Sequence, residues 1–181
     1  MGLSRLILKL AGWKVQVTVP NYPKSIICVA PHTSNWDFII GKLAIASVNR
    51  KAGFLMKKAW FFFPLGYIFR AMGGIPVSRG RANNESSVEN LVKLFNKKEE
   101  LVLAITPEGT RSLTNKWRSG FLNIALLANV PIQIAVIDFK EKTARINNIF
   151  YPTGDIEADL RCIKDFYKNA SGKYPEKFTV E

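Results

Sequence analysis

His32 is the sole histidine in a chain of 181 residues, and Asp37 follows it five positions later in the stretch APHTSNWD. An imidazole with one ring nitrogen held by a carboxylate keeps a single tautomer, and its other nitrogen is then set to take a proton from a hydroxyl. On one continuous helix a five-residue step at about 100° per residue would put the two side chains about 140° apart, too divergent to meet. They can meet only if His32 precedes a helix that begins at Ser34 or Asn35, with Asp37 in the first turn facing back toward the ring. The arrangement is that of a serine hydrolase without its serine, and the chain has no GxSxG elbow. A substrate alcohol in the serine's place would attack an acyl group directly. A lone histidine after a strand also has a plainer use, as a hydrogen-bonded packing residue.

Two further clusters could grip an anion. TPEGTR sets Pro107, Glu108, Gly109, Thr110 and Arg111 directly after the apolar run LVLAI. Gly109 permits a tight turn or a close backbone approach, and Arg111 offers a planar fork for two phosphate oxygens. Glu108 can pin that guanidinium or receive a ligand hydroxyl. In GIPVSR, Arg79 leaves a short apolar run and is a second candidate anion ligand. A surface turn with a local ion pair, or a solvated arginine, would account for either cluster alone.

The elements that must position these residues follow from the apolar pattern. SIICVA (25–30), 54–56, GIPV (74–77), LVLAI (101–105) and PIQIAVI (131–137) read as strands, with 143–146 as an edge strand. Segments 35–49, 83–96, 119–128 and 155–169 read as helices, and the aromatic stretch up to about Met72 as helical too. Alternating strands and helices predict an α/β fold with a mainly parallel central sheet flanked by helices on both faces. In such a sheet the loops leaving the carboxyl ends of the strands gather on one edge. APHTSNWD, SRGR and TPEGTR each occupy such a place, so three loops are expected to converge. The length suits a single domain over 1–181, with 25–137 as its motif-bearing part.

The net charge of +12 and the 48% apolar content imply a folded protein with an anionic partner: nucleic acid, a membrane surface or a phosphorylated small molecule. No nucleic-acid motif is present, and the lysines are scattered among helix faces. Cys28 and Cys162 fit neither metal-ligand spacing nor a disulfide framework, which suits a reducing compartment, and no metal is expected. No run reaches the roughly 18 to 20 apolar residues of a membrane span. Residues 1–16 read instead as an amphipathic helix for a membrane surface, with Leu3, Leu6, Ile7, Leu10 and Trp13 on one side; an ordinary helix packed on the domain fits the same pattern. In KAGFLMKKAWFFFPLGYIFR, cations alternate with aromatics, a second pattern suited to anionic headgroups.

His32 to Asp37 as HxxxxD, Gly74 to Arg79 as GIPVSR, Pro107 to Arg111 as PEGTR, and Val130 to Ile132 as VPI occur in an order that resembles the glycerolipid acyltransferases typified by 1-acylglycerol-3-phosphate (lysophosphatidic acid) acyltransferase. The resemblance runs from about Ser25 to Ile137. It implies acyl transfer from acyl-CoA or acyl carrier protein, as co-substrate and without a cofactor, to the hydroxyl of a lysophospholipid at the cytoplasmic face of a membrane. It implies further that His32 is the general base and Asp37 its orienting partner, and that Arg79, Glu108, Gly109, Thr110 and Arg111 hold the acceptor. Lys57 would approach the acceptor phosphate, and Pro131 would shape the acyl-donor side. Pro31 stands where many members have asparagine, and the chain lacks the longer hydrophobic N-terminal extension of some relatives. Another lysolipid or an amino-acid lipid therefore stays open as the acceptor.

Overall fold

A computed structural model of the protein describes residues 2–77 and 84–181. Its centre is a seven-stranded sheet in the order β1-β7-β6-β2-β5-β3-β4. The strands are β1 (Lys14–Val17), β2 (Lys24–Ala30), β3 (Gly53–Lys57), β4 (Gly74–Val77), β5 (Leu101–Ile105), β6 (Ile132–Asp138) and β7 (Thr143–Phe150). All neighbouring pairs are parallel except β6 and β7. That pair can be antiparallel because a tight turn joins it: the Asp138 carboxylate accepts from the Glu141 amide at 3.0 Å, and Lys142 takes a positive φ of 46°.

The helices are α1 (Leu3–Leu10), α2 (Asn35–Ser47), α3 (Leu65–Ala71), α4 (Asn84–Lys97), α5 (Gly120–Leu127) and α6 (Ile156–Asp165). Central strands covered on both sides must be apolar at consecutive positions. In β2, Ile26, Cys28 and Ala30 face a cluster built with Leu91 and Phe95 of α4, Phe121 and Leu122 of α5, and Ile163 of α6. Ile27 faces the other way, toward Ala135 and Ile146, and on that side Ile40 and Ala44 of α2 join Leu8 of α1. All seven residues of β6 are buried, as its central place requires.

Two expectations need correction. The N-terminal helix does not reach residue 16. It ends at Leu10, Gly12 turns the chain with φ 78°, and Lys14–Val17 forms the sheet edge. The segment 143–146 is accordingly an inner strand, longer than expected and flanked by β1. In α1 only Leu8 is buried, against Ile40 and Ala44 of α2, while Leu3 and Leu10 are 73% and 79% exposed; Trp13, expected on the same side as these, packs edge-on against Phe139. Among the described residues no helix is long and apolar enough to cross a membrane.

Candidate active site

The loop from β2 to α2 carries His32, after a cis Ala30–Pro31 peptide. Ser34 is the N-cap in extended geometry, and Asp37 occupies the third helical position, where a carboxylate can reach back to the cap. Its Oδ2 accepts from the Thr33 and Ser34 amides, both at 2.7 Å, and Oδ1 accepts from the Ser34 hydroxyl at 2.8 Å. Three donors thus hold a buried carboxylate in place. His32 Nδ1 lies 3.2 Å from Asp37 Oδ2. The approach is off the line of a ring N–H, so the pair is close without an aligned hydrogen bond.

Because β2 and β5 are adjacent and parallel, the loops that leave them lie side by side. Glu108 joins them: its Oε1 accepts from the His32 amide at 2.8 Å. Glu108 is only 6% exposed, and its Oε2 is buried without a hydrogen-bond partner. Burial pushes its carboxyl up from 4.5 to about 7, against the lowering effect of backbone donors, His32's among them. The carboxylate therefore ties the two loops together through Oε1.

Gly109 follows with φ 64°, and a Cβ there would lie 2.5 Å from Nε of Arg118. Arg118, whose amide donates to Pro107 O at 2.7 Å, lines the same cavity as His32. Sequence reasoning missed it, because KWRSGF carries no spacing that separates it from a solvated arginine. Arg111 is exposed and donates to Asn35 Oδ1 at the start of α2. The exposed Thr110 turns its hydroxyl to the Ser112 amide, at 3.2 Å. Lys57 ends β3 on the same sheet edge, exposed and away from the cavity lining. Arg79 lies outside the described residues.

Pro131, expected on the acyl-donor side, lies at the end of its strand away from the His32 loop. It sits buried at the amino end of β6, where its carbonyl accepts from the Ile26 amide at 3.0 Å. Val136, five residues on, pairs with Ala30. At about 3.3 Å per residue, Pro131 is therefore roughly 16 Å along the strand from the level of Ala30.

Behind His32 a cavity of about 400 Å³ runs between α2 and the sheet. Small residues make the room: Gly41 and Ala44 on α2, Ala104 on β5, Ala135 on β6 and Ala144 on β7 all line it. Val15 and Val17 of the edge strand line it too. His32 and Asp37 stand with Thr106, Gly109 and Arg118 among its polar boundaries, and no serine or cysteine lines it among the described residues. The Cys28 thiol is buried, and burial pushes it up to about 12, so it is inert as a nucleophile. Among the described residues no group of three or more His, Cys, Asp or Glu could hold a metal ion.

Residues 14–138, more than half of the chain, match the Acyltransferase family, and the protein belongs to that family. Its fold is similar to that of the 1-acyl-sn-glycerophosphate (LPA) acyltransferase PlsC from Thermotoga maritima, whose crystal structure superposes with a TM-score of 0.56 at 19% sequence identity. The similarity covers 93% of this chain and 78% of that one. No curated protein matches the sequence.

Proposed function

We propose that the protein is a glycerolipid O-acyltransferase that moves a fatty acyl group from a thioester donor, acyl-CoA or acyl carrier protein, to the hydroxyl of a lysophospholipid. Lysophosphatidic acid is the favoured acceptor, giving phosphatidic acid. The observation that carries this reading is a histidine beside a fixed, buried carboxylate at an apolar cavity that lacks a serine or cysteine nucleophile among the described residues. In this mechanism Asp37 holds Nδ1–H and His32 Nε2 takes the proton of the acceptor hydroxyl. The alkoxide oxygen then bonds to the thioester carbonyl carbon. Collapse of the tetrahedral intermediate breaks the carbon–sulfur bond, and the imidazolium returns its proton to the leaving thiolate. The cavity takes an acyl chain, and Arg111, with Arg79, meets the acceptor's phosphate.

The same reading includes attachment to a membrane surface from the cytoplasmic side. Exposed apolar side chains are carried by α1, by Trp36, Phe38 and Ile39 of α2, and by Phe62, Phe63, Tyr67 and Ile68 in and before α3. The contact between α1 and α2 joins the first two groups, and the Lys42 ammonium bridges α2 to the end of α3 through Met72 O at 2.8 Å. Apolar patches of this extent mark interaction surfaces, and one rich in aromatics and lysines suits an anionic bilayer.

The test is incubation with labelled acyl-CoA and a panel of lysolipids, reading which acceptor takes up label. His32→Ala is expected to lower transfer by about 10²- to 10⁴-fold while the fold persists. Unchanged turnover in that variant, or label trapped covalently on the protein with donor alone, would remove direct attack from consideration.

A further inference from the structure

The C-terminal segment lies beyond the family-matching residues 14–138 and returns to the histidine loop. Just past β6 the Phe139 amide donates to Ser171 O at 2.8 Å, which fixes where the segment crosses. The next residue, Gly172, is buried against both neighbours of His32. A Cβ there would stand 2.7 Å from Thr33 Cγ2, 2.8 Å from Thr33 Oγ1 and 3.3 Å from Pro31 Cβ. The φ of Gly172 is outside the left-handed region, so this contact and not the backbone is what excludes a side chain. Two residues on, the Tyr174 amide donates to Thr33 Oγ1 at 3.2 Å. Thr33 is thus held from the C-terminal side by packing and by a hydrogen bond, and it is only 2% exposed. Its amide is one of the three donors that fix Asp37, and Asp37 Oδ2 is the atom that faces His32 Nδ1. The contacts run without a break from Gly172 through Thr33 and Asp37 to the imidazole, and a close-packed interior passes a displacement along such a line.

We infer that residues 171–174 form a strap that sets the His32–Asp37 pair, with Gly172 and Thr33 as positioning residues that touch no substrate. The inference deepens the acyl-transfer reading and rests on it for the effect on turnover. Ordinary contact begins at 3.4 Å, so a methyl group at position 172 must move Thr33 or the strap by about 0.7 Å. A misplacement of about 1 Å at a reacting pair costs about 10²-fold in rate.

The test is Gly172→Ala in the full chain. Because His32 is the sole histidine, labelling with ¹⁵N-histidine lets NMR read its ring nitrogens directly, with no turnover needed. The neutral ring of the wild type is expected to carry its proton on Nδ1, the tautomer that Asp37 holds. Gly172→Ala should shift the ring toward the mixed tautomers of an unheld imidazole and lower kcat by about 10- to 100-fold with KM little changed. Adding Thr33→Ala removes both Thr33 side-chain atoms from the contact and keeps the amide that holds Asp37, so the double variant should recover the tautomer and most of kcat. If Gly172→Ala does not fold, Thr33→Val, which keeps the shape and removes the acceptor of the Tyr174 amide, should move the tautomer and kcat in the same direction. A lower urea midpoint with tautomer and kcat unchanged would make the strap merely structural and overturn the inference, as would a loss that the double variant does not relieve. A tautomer that shifts and recovers in a protein that acylates no lysolipid would leave the strap and sink the proposed function; a wild type that acylates, with Gly172→Ala altering neither tautomer nor kcat, would do the reverse.

Discussion

Glu108→Gln tests the internal tie between the two loops. In the unfolded chain the Glu108 carboxyl ionises near its ordinary value of 4.5, but in the fold it does so only near 7, because burial opposes the charge. Below 4.5 both states are protonated and the group costs nothing. As pH rises from there to about 7 the unfolded state loses the proton while the folded state keeps it, so folding loses stability through that window. The loss is complete above the folded value and comes to about 3 kcal/mol. Glutamine keeps a carbonyl oxygen to accept from the His32 amide, which in the wild type donates to Glu108 Oε1 at 2.8 Å, and cannot ionise. The variant and the wild type should therefore unfold at similar urea concentrations at acid pH. The variant should gain on the wild type as pH rises, reaching an advantage of about 3 kcal/mol by mildly alkaline pH. Urea denaturation followed by circular dichroism across that range gives the difference directly. A gap between the two proteins that stays constant with pH would show that Glu108 ionises normally in the fold, and the inward, orphaned carboxylate would be wrong.

The cavity and the apolar exterior yield two more expectations. Gly41→Leu fills the cavity from the middle of α2, where a Cβ already meets Ile137 Cδ1 at 3.4 Å. It should shift donor preference from long to medium acyl chains by about tenfold in kcat/KM, while the helix gains from losing a glycine; unchanged chain preference would place the acyl group elsewhere. Replacing Leu10 or Phe63, 79% and 81% exposed, by Asp should weaken sedimentation with anionic vesicles by about tenfold each. Equal sedimentation of both variants would rule out this face as the membrane contact.

Strands that lie inside the sheet were the easiest to read, since SIICVA, LVLAI and PIQIAVI are apolar at consecutive positions and can only be covered on both faces. The edge strand Lys14–Val17 was hidden because its four residues follow an amphipathic helix with only Ala11, Gly12 and Trp13 between them. The spacing of His32 and Asp37 dictated a helix start between them, and α2 begins at Asn35. The cavity could not be seen in one dimension, because Gly41, Ala104, Ala135 and Ala144 come from four elements and each alone is an ordinary small residue. The tie that Glu108 makes was illegible for a related reason. Residue type says that a carboxylate seeks a partner, but only the adjacency of β2 and β5 makes that partner the His32 amide. The contribution of the last residues was illegible as well, since the contact of Gly172 and Tyr174 with Thr33 spans nearly the whole chain.

That long return has a consequence for how the protein is made. The Tyr167 hydroxyl donates to Cys28 O at 2.7 Å, and the strand carrying that carbonyl leads straight into the histidine loop. During synthesis the amphipathic N-terminal segment leaves the ribosome first, whereas the residues that brace the histidine emerge last. If the protein acylates lipid at a membrane, as proposed, a chain ended just upstream of Tyr167 would keep the exposed apolar helix and lack the residues that brace the histidine loop, and it is expected to bind vesicles without transferring acyl groups.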